Sequence, residues 1–275
     1  MASLFSKINP KETLVGTIVL LAVALVLHFM PWSVMIIACF ATLPGIILWY
    51  RSIHSFGLAT LITILLSTLT GDLFVMTFMI ILLALSAVIA QLLKQRASKE
   101  HILYVATLVT SIITIGAIMI LQGLKQLPYA QVLLEPYQKI VNQMIEMQNL
   151  DQQAREVLNN SVHQLAVQLP AMIVVTIAIY LIITLMIIFP ILRKFKIATP
   201  VFRPLYLWQM KRSLFIIYAI ALLVSVTTEP ATTINSIGIN FQIVLGFLLV
   251  IQGLSFIHYF TTIKRMPVAV SVIFI

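Results

Sequence analysis

Charge is what this chain has least of. Of its 275 residues, 8 are Asp or Glu and 17 are Lys or Arg, 9% in all, where ordinary soluble domains carry about 25%. A chain so poor in charge cannot present a water-facing surface, and its 61% hydrophobic content and mean hydropathy of +1.09 make it an integral membrane protein. Cysteine is nearly absent. Cys39 stands alone inside an apolar segment, which excludes an intrachain disulfide and any cysteine-based metal site. No G-x-S-x-G elbow, H-E-x-x-H pair, Walker loop or cluster of His with carboxylates occurs, so the chain is expected not to be an enzyme and no catalytic, cofactor or metal residue is assigned. Without a nucleotide site it cannot power transport by itself. No apolar segment carries an unambiguous buried acid or base, which argues against a proton relay, and the lack of period-2 alternation excludes a closed barrel.

What the chain does have is long apolar runs, each able to cross a hydrocarbon core about 30 Å thick as a helix. Their pattern predicts an all-α, polytopic transmembrane helix bundle, a single membrane domain over 1–275. About eight spans are expected, near residues 13–30, 33–50, 55–70, 73–93, 102–123, 167–192, 213–228 and 239–263. The first reads as a span rather than a signal peptide, since no A-x-A-like site follows His28. Between Ile53 and Leu93 an unbroken helix would run about 61 Å, twice the bilayer core, so the chain must turn once. Thr70-Gly71-Asp72 is the only turn-forming cluster there. Asp72 is therefore expected at a membrane surface, capping the helix that follows.

With a cytoplasmic N-terminus, 14 of the 17 basic residues fall on the inner side and only Lys125, Lys139 and Arg155 fall outside. That asymmetry predicts a multi-pass membrane protein with both termini cytoplasmic. The formal charge of +9 is then a topology device that attracts anionic lipid, and nucleic acid need not be invoked.

The one long polar interval, about 124–166, is expected outside as an amphipathic helical hairpin. Leu134, Val141 and Ile145 lie on one apolar face, Val157, Leu158 and Val162 on another, and the break falls near Asn149-Leu150-Asp151. On the inner side, "PVFRPLYLWQMKR" joins Arg203, Trp208, Lys211 and Arg212 in a stretch suited to an interface-lying helix or a partner surface. The last span is the most polar, with Gln252, Ser255 and Tyr259 on one face, spaced as residues that glue helices together. Asp72, Glu229, Asn235, Asn240, Gln242 and Gln252 are the polar groups that could wall a solute cavity open to the outer face.

The stretches "LPGIILWYRSIHSFGLATLITILLSTLTGDL", "TPVFRPLYLWQMKRSLFIIYAIALL" and "FLLVIQGLSFIHYFTTIKRMP" resemble the YybS-like family of Gram-positive bacterial membrane proteins. Pro44 and Arg51, then Pro200, Phe202 and Trp208, then Gln252 to Ser255 match its pattern. The family has no assigned function, and its core is similar to the S components of energy-coupling-factor transporters and to the cell-shape protein MreD. The A-x-x-x-A docking face of S components is missing, since Ala22 and Ala24 stand two apart. Family members continue past "KRMP" into another hydrophobic span, which implies a C-terminus extending beyond Ile275. Two roles follow from the resemblance. One is an S-component-like protein that binds or moves a small solute from the outer face, with an energising partner. The other is a non-transporting scaffold that recruits cell-envelope or signalling partners within the lipid bilayer.

Overall fold

The computed structural model describes residues 8–148, 152–201, 204–229 and 232–264. Their regular structure is helical throughout, as the apolar periodicity requires. The helices are α1 (Pro10–Phe29), α2 (Val34–Arg51), α3 (Ile53–Thr68), α4 (Leu73–Lys94), α5 (Lys99–Gly123), α6 (Ala130–Gln148), α7 (Gln152–Lys194), α8 (Arg212–Thr227) and α9 (Thr233–Ile263). Five stretches are long and apolar enough to cross a membrane: Pro10–Phe29, Leu73–Lys94, Lys99–Gly123, Arg155–Lys194 and Thr233–Ile263. Ile36–Arg51, Ile53–Thr68 and Arg212–Thr227 are shorter apolar helices. The eight apolar helices fall on the eight expected segments. α3 and α8, at 16 residues each, measure about 24 Å and span the hydrocarbon only with thinning or shielded ends.

The chain forms two compact units, the first made of Met1–Ala117 and Ile177–Phe202, the second of Ile118–Thr176 and Arg203–Ile275. In the first unit α4 is the shared wall of two apolar clusters. Val75, Met79 and Leu83 pack with Leu20, Leu27 and Leu48, whereas Leu85, Ile89 and Leu93 pack with Ile46, Leu185 and Phe189. α1 reaches its neighbours through a stripe at helical spacing, Thr13, Gly16, Thr17, Leu20, Ala24 and Leu27. Two glycines permit the closest approaches. A Cβ on Gly16 would stand 2.5 Å from Leu48 Cδ1, and one on Gly45 would stand 2.7 Å from Ser86 Cβ. Lipid tails are as apolar as leucine, so this unit is held by close packing rather than by exclusion of water.

The expected turn lies where Gly71 takes φ +66°. Asp72 Oδ1 accepts from the amides of Phe74 (2.9 Å) and Val75 (3.4 Å), capping α4. The outer hairpin needs a correction. Its first arm is α6, but its second arm is not separate from the sixth span: both belong to α7, 43 residues and about 64 Å of continuous helix. No glycine interrupts that stretch, and neither Pro170 nor Pro190 ends it. The break expected near residues 149–151 lies outside the described residues. At about twice the bilayer core, α7 must carry its polar first turns beyond the hydrocarbon.

Candidate functional site

In the second unit α8 and α9 form an antiparallel hairpin whose polar side chains bond chiefly to backbone. At the turn, Asn235 Nδ2 donates to the Ser225 and Thr228 carbonyls at 2.9 and 3.3 Å, and Thr232 caps α9 by accepting from the Asn235 amide. One turn on, a Cβ added to Gly238 would lie 3.2 Å from the Ser225 amide nitrogen, so glycine sets how closely the two helices approach. Gln242 Oε1 accepts from the Ser225 hydroxyl at 2.8 Å.

Asn240 does something different. Its Oδ1 accepts from the Ala171 amide and its Nδ2 donates to the Val167 carbonyl, both at 2.9 Å. Those two backbone groups bracket Pro170, which has no N–H to give to the helix ladder. A proline inside a membrane helix is tolerated where a neighbour satisfies the backbone around it. Asn240 is such a neighbour, bonding the amide and carbonyl of the turn that contains Pro170.

At the far end of the hairpin the chain is not helical. Leu205–Leu207 is a 3-10 turn followed by extended backbone at Trp208 and Lys211, so the interface helix expected here is instead a strap. Pro200 and Pro204 each bias the residue before them toward extended backbone. The strap is fixed by α9. Gln252 Oε1 accepts from the Met210 amide at 2.6 Å, and the Ser255 hydroxyl lies 2.8 and 2.7 Å from the Leu205 and Trp208 carbonyls. Ser255 is buried. Tyr206 meets His258 edge-on at 5.4 Å. Tyr259, expected on the same face, is 48% exposed and belongs to a different surface. The strap leaves Lys211 and Arg212 exposed beside a half-buried Trp208. Arg203 lies outside the described residues.

The six residues proposed from sequence for a solute cavity are distributed as follows. Asp72 belongs to the first unit, where its Oδ2 stands 3.5 Å from His28 Nδ1 besides capping α4. Glu229 is exposed beyond α8, its carbonyl accepting from the Thr232 hydroxyl. Asn235, Asn240, Gln242 and Gln252 lie along α9 in the second unit and engage the partners just given. None of the six lines the groove of about 330 Å³ on this hairpin, which is walled by apolar side chains including Ile217, Ile220, Val224, Ile237 and Phe241. The described residues hold no group of three or more His, Cys, Asp or Glu placed to bind a metal ion. Sequence reasoning missed the Asn240 bridge, although an asparagine in one apolar span and a proline in another were both visible.

Helices of this length and apolarity, with polar side chains turned onto backbone, define a multi-pass helical membrane protein. The chain belongs to the family described as "Predicted membrane protein (DUF2232)", whose model matches residues 17–275. It is similar to a Bacillus subtilis (strain 168) protein described as "Uncharacterized protein YybS", with 33% identity over 105 residues. That match covers 38% of this chain and 34% of the relative, so the chain spans about a third of the relative's length. No solved structure matches.

Proposed function

We propose that this protein is a non-transporting membrane scaffold that presents the strap around Trp208, Lys211 and Arg212 to a partner membrane protein of the cell envelope or of a signalling pathway. The N-terminus and the strap face the cytoplasm, the side to which the basic residues fall. The observation that carries this role is the commitment of Gln252 and Ser255 to the backbone of Leu205, Trp208 and Met210. Non-helical backbone near a membrane surface is stable only when its polar groups are satisfied. Two polar side chains of a span satisfy it here, and the result is a fixed platform with an aromatic ring and two exposed cations. Such a surface fits an acidic partner, because charge complementarity steers encounter and selects among partners.

A photo-crosslinker at Gln209, which is exposed, tests this in native membranes. A discrete adduct is expected, and it should disappear in Lys211→Glu/Arg212→Glu while the protein stays folded and at normal level. Absence of an adduct, or one indifferent to charge reversal, would remove the proposal. A solute-binding role keeps the resemblance to S components as its support. It would require Asn235, Asn240 and Gln242 to exchange their present partners for a ligand, and thermal stabilisation of the detergent-solubilised protein by a small solute would favour it.

A further inference from the structure

The first unit carries a second cationic surface, at the end where α4 and α7 terminate and α5 begins. Both helices finish with the same device. The Arg96 and Ala97 amides donate to the Leu93 and Leu92 carbonyls, and the Lys196 and Ile197 amides donate to the Arg193 and Leu192 carbonyls, each at 3.0 to 3.1 Å. This is the double hydrogen bond that closes a helix by placing one residue in the left-handed region, a position that strongly favours glycine. Arg96 (φ 54°) and Lys196 (φ 61°) occupy it instead. Ile197, 2% exposed, and half-buried Ala97 anchor the residues that follow, packed with Leu92, Leu93, Ile102 and Leu192 in a single cluster. The two unfavourable backbone positions are thereby held at one end of one apolar core.

Glu12 is bound by Arg51, and Glu100 lies 3.8 Å from Lys99. Arg193 is turned onto the Thr199 hydroxyl and the Pro200 carbonyl. Among the described residues, Lys94, Arg96, Lys194 and Lys196 are exposed at this end with no carboxylate recorded opposite them. The first turn of α5 starts at the same place, capped by the Ser98 hydroxyl, which accepts from the His101 amide. Trp49 and half-buried Tyr50 complete the setting, the Trp49 ring N–H donating to Gln91 in the last turn of α4. Aromatic rings at headgroup level beside fixed cations are the elements of phosphate recognition at a bilayer surface.

We propose that this end of the first unit is a binding site for the headgroup of an anionic phospholipid, with Lys94, Arg96, Lys194 and Lys196 facing the phosphate. The site is independent of the strap and of any role assigned to it. The full chain in detergent micelles is the material for the test. Phosphatidylglycerol should raise the unfolding midpoint and remain bound in native mass spectrometry. Phosphatidylcholine and inorganic phosphate should do neither. Arg96→Gly/Lys196→Gly is the decisive variant, since glycine suits both left-handed positions and the protein should fold at least as well. Its phosphatidylglycerol retention should fall about 30-fold for two lost cations. Lys125→Gly removes a cation from the same kind of cap at φ 58° and should leave retention unchanged. Equal stabilisation by phosphatidylcholine, full stabilisation by phosphate alone, or undiminished retention in the double glycine variant would each overturn the proposal.

Discussion

The two units of this protein solve the same problem by different means. In the first, α1 to α4 and the end of α7 bury Leu20, Met79, Ile89, Leu185 and Phe189 almost completely, and two glycines let helices approach. In the second, neither large apolar cluster is present. Asn235, Asn240, Gln242, Gln252 and Ser255 instead tie α9 to the α8 turn, to α7 around Pro170, and to the strap. Apolar packing tolerates any neighbour of the right shape, whereas an amide bonded to a named carbonyl specifies one. In the second unit the irregular strap is held by two of these polar residues, Gln252 and Ser255.

The comparison can be broken most severely on the apolar side. Phe189→Ala, at a fully buried site, should destabilise the protein by about 3 to 5 kcal/mol in reversible unfolding in micelles. On the polar side, Asn240→Leu removes two interhelical hydrogen bonds and one within α9, and should cost about 1 kcal/mol, since interhelical bonds in membranes average roughly 0.6 each. Its effect should be local, with faster amide exchange confined to the α7 turns around Pro170. If Asn240→Leu were as stable as the parent, the proline would need no outside partner. Asp72→Asn sharpens the comparison at its weak end. The capped amides of Phe74 and Val75 can still be satisfied by an asparagine, so the change should be about 1 kcal/mol or less. The orientation is checked separately: cysteines introduced near Gln148 should label from outside, and one near Ser98 should not.

How much of this was legible in the sequence follows the same division. Apolar periodicity located the eight apolar helices, and Gly71-Asp72 located the turn, because both signals are local. The α4 cap was readable for the same reason. The unity of α7 was not, since Pro170 is a local stop signal and the Asn240 that bonds the backbone beside it lies 70 residues later. Gln252 and Ser255 were visible as a polar pair on a helix face, but the pattern implied a facing helix. The partner is instead a strap, a 3-10 turn at Leu205–Leu207 with extended backbone after it. The cationic end of the first unit was visible only as charge, because the left-handed caps at Arg96 and Lys196 carry no sequence mark when glycine is absent.

The most direct test of the claim that α9 holds the strap is amide hydrogen exchange at Met210 in the protein reconstituted in nanodiscs, with and without Gln252→Leu. The Met210 amide donates to Gln252 at present, so its exchange should accelerate about tenfold in the variant, corresponding to about 1.4 kcal/mol, while α4 stays unchanged. Exchange at Met210 that is already fast in the parent, or identical in the variant, would contradict the account.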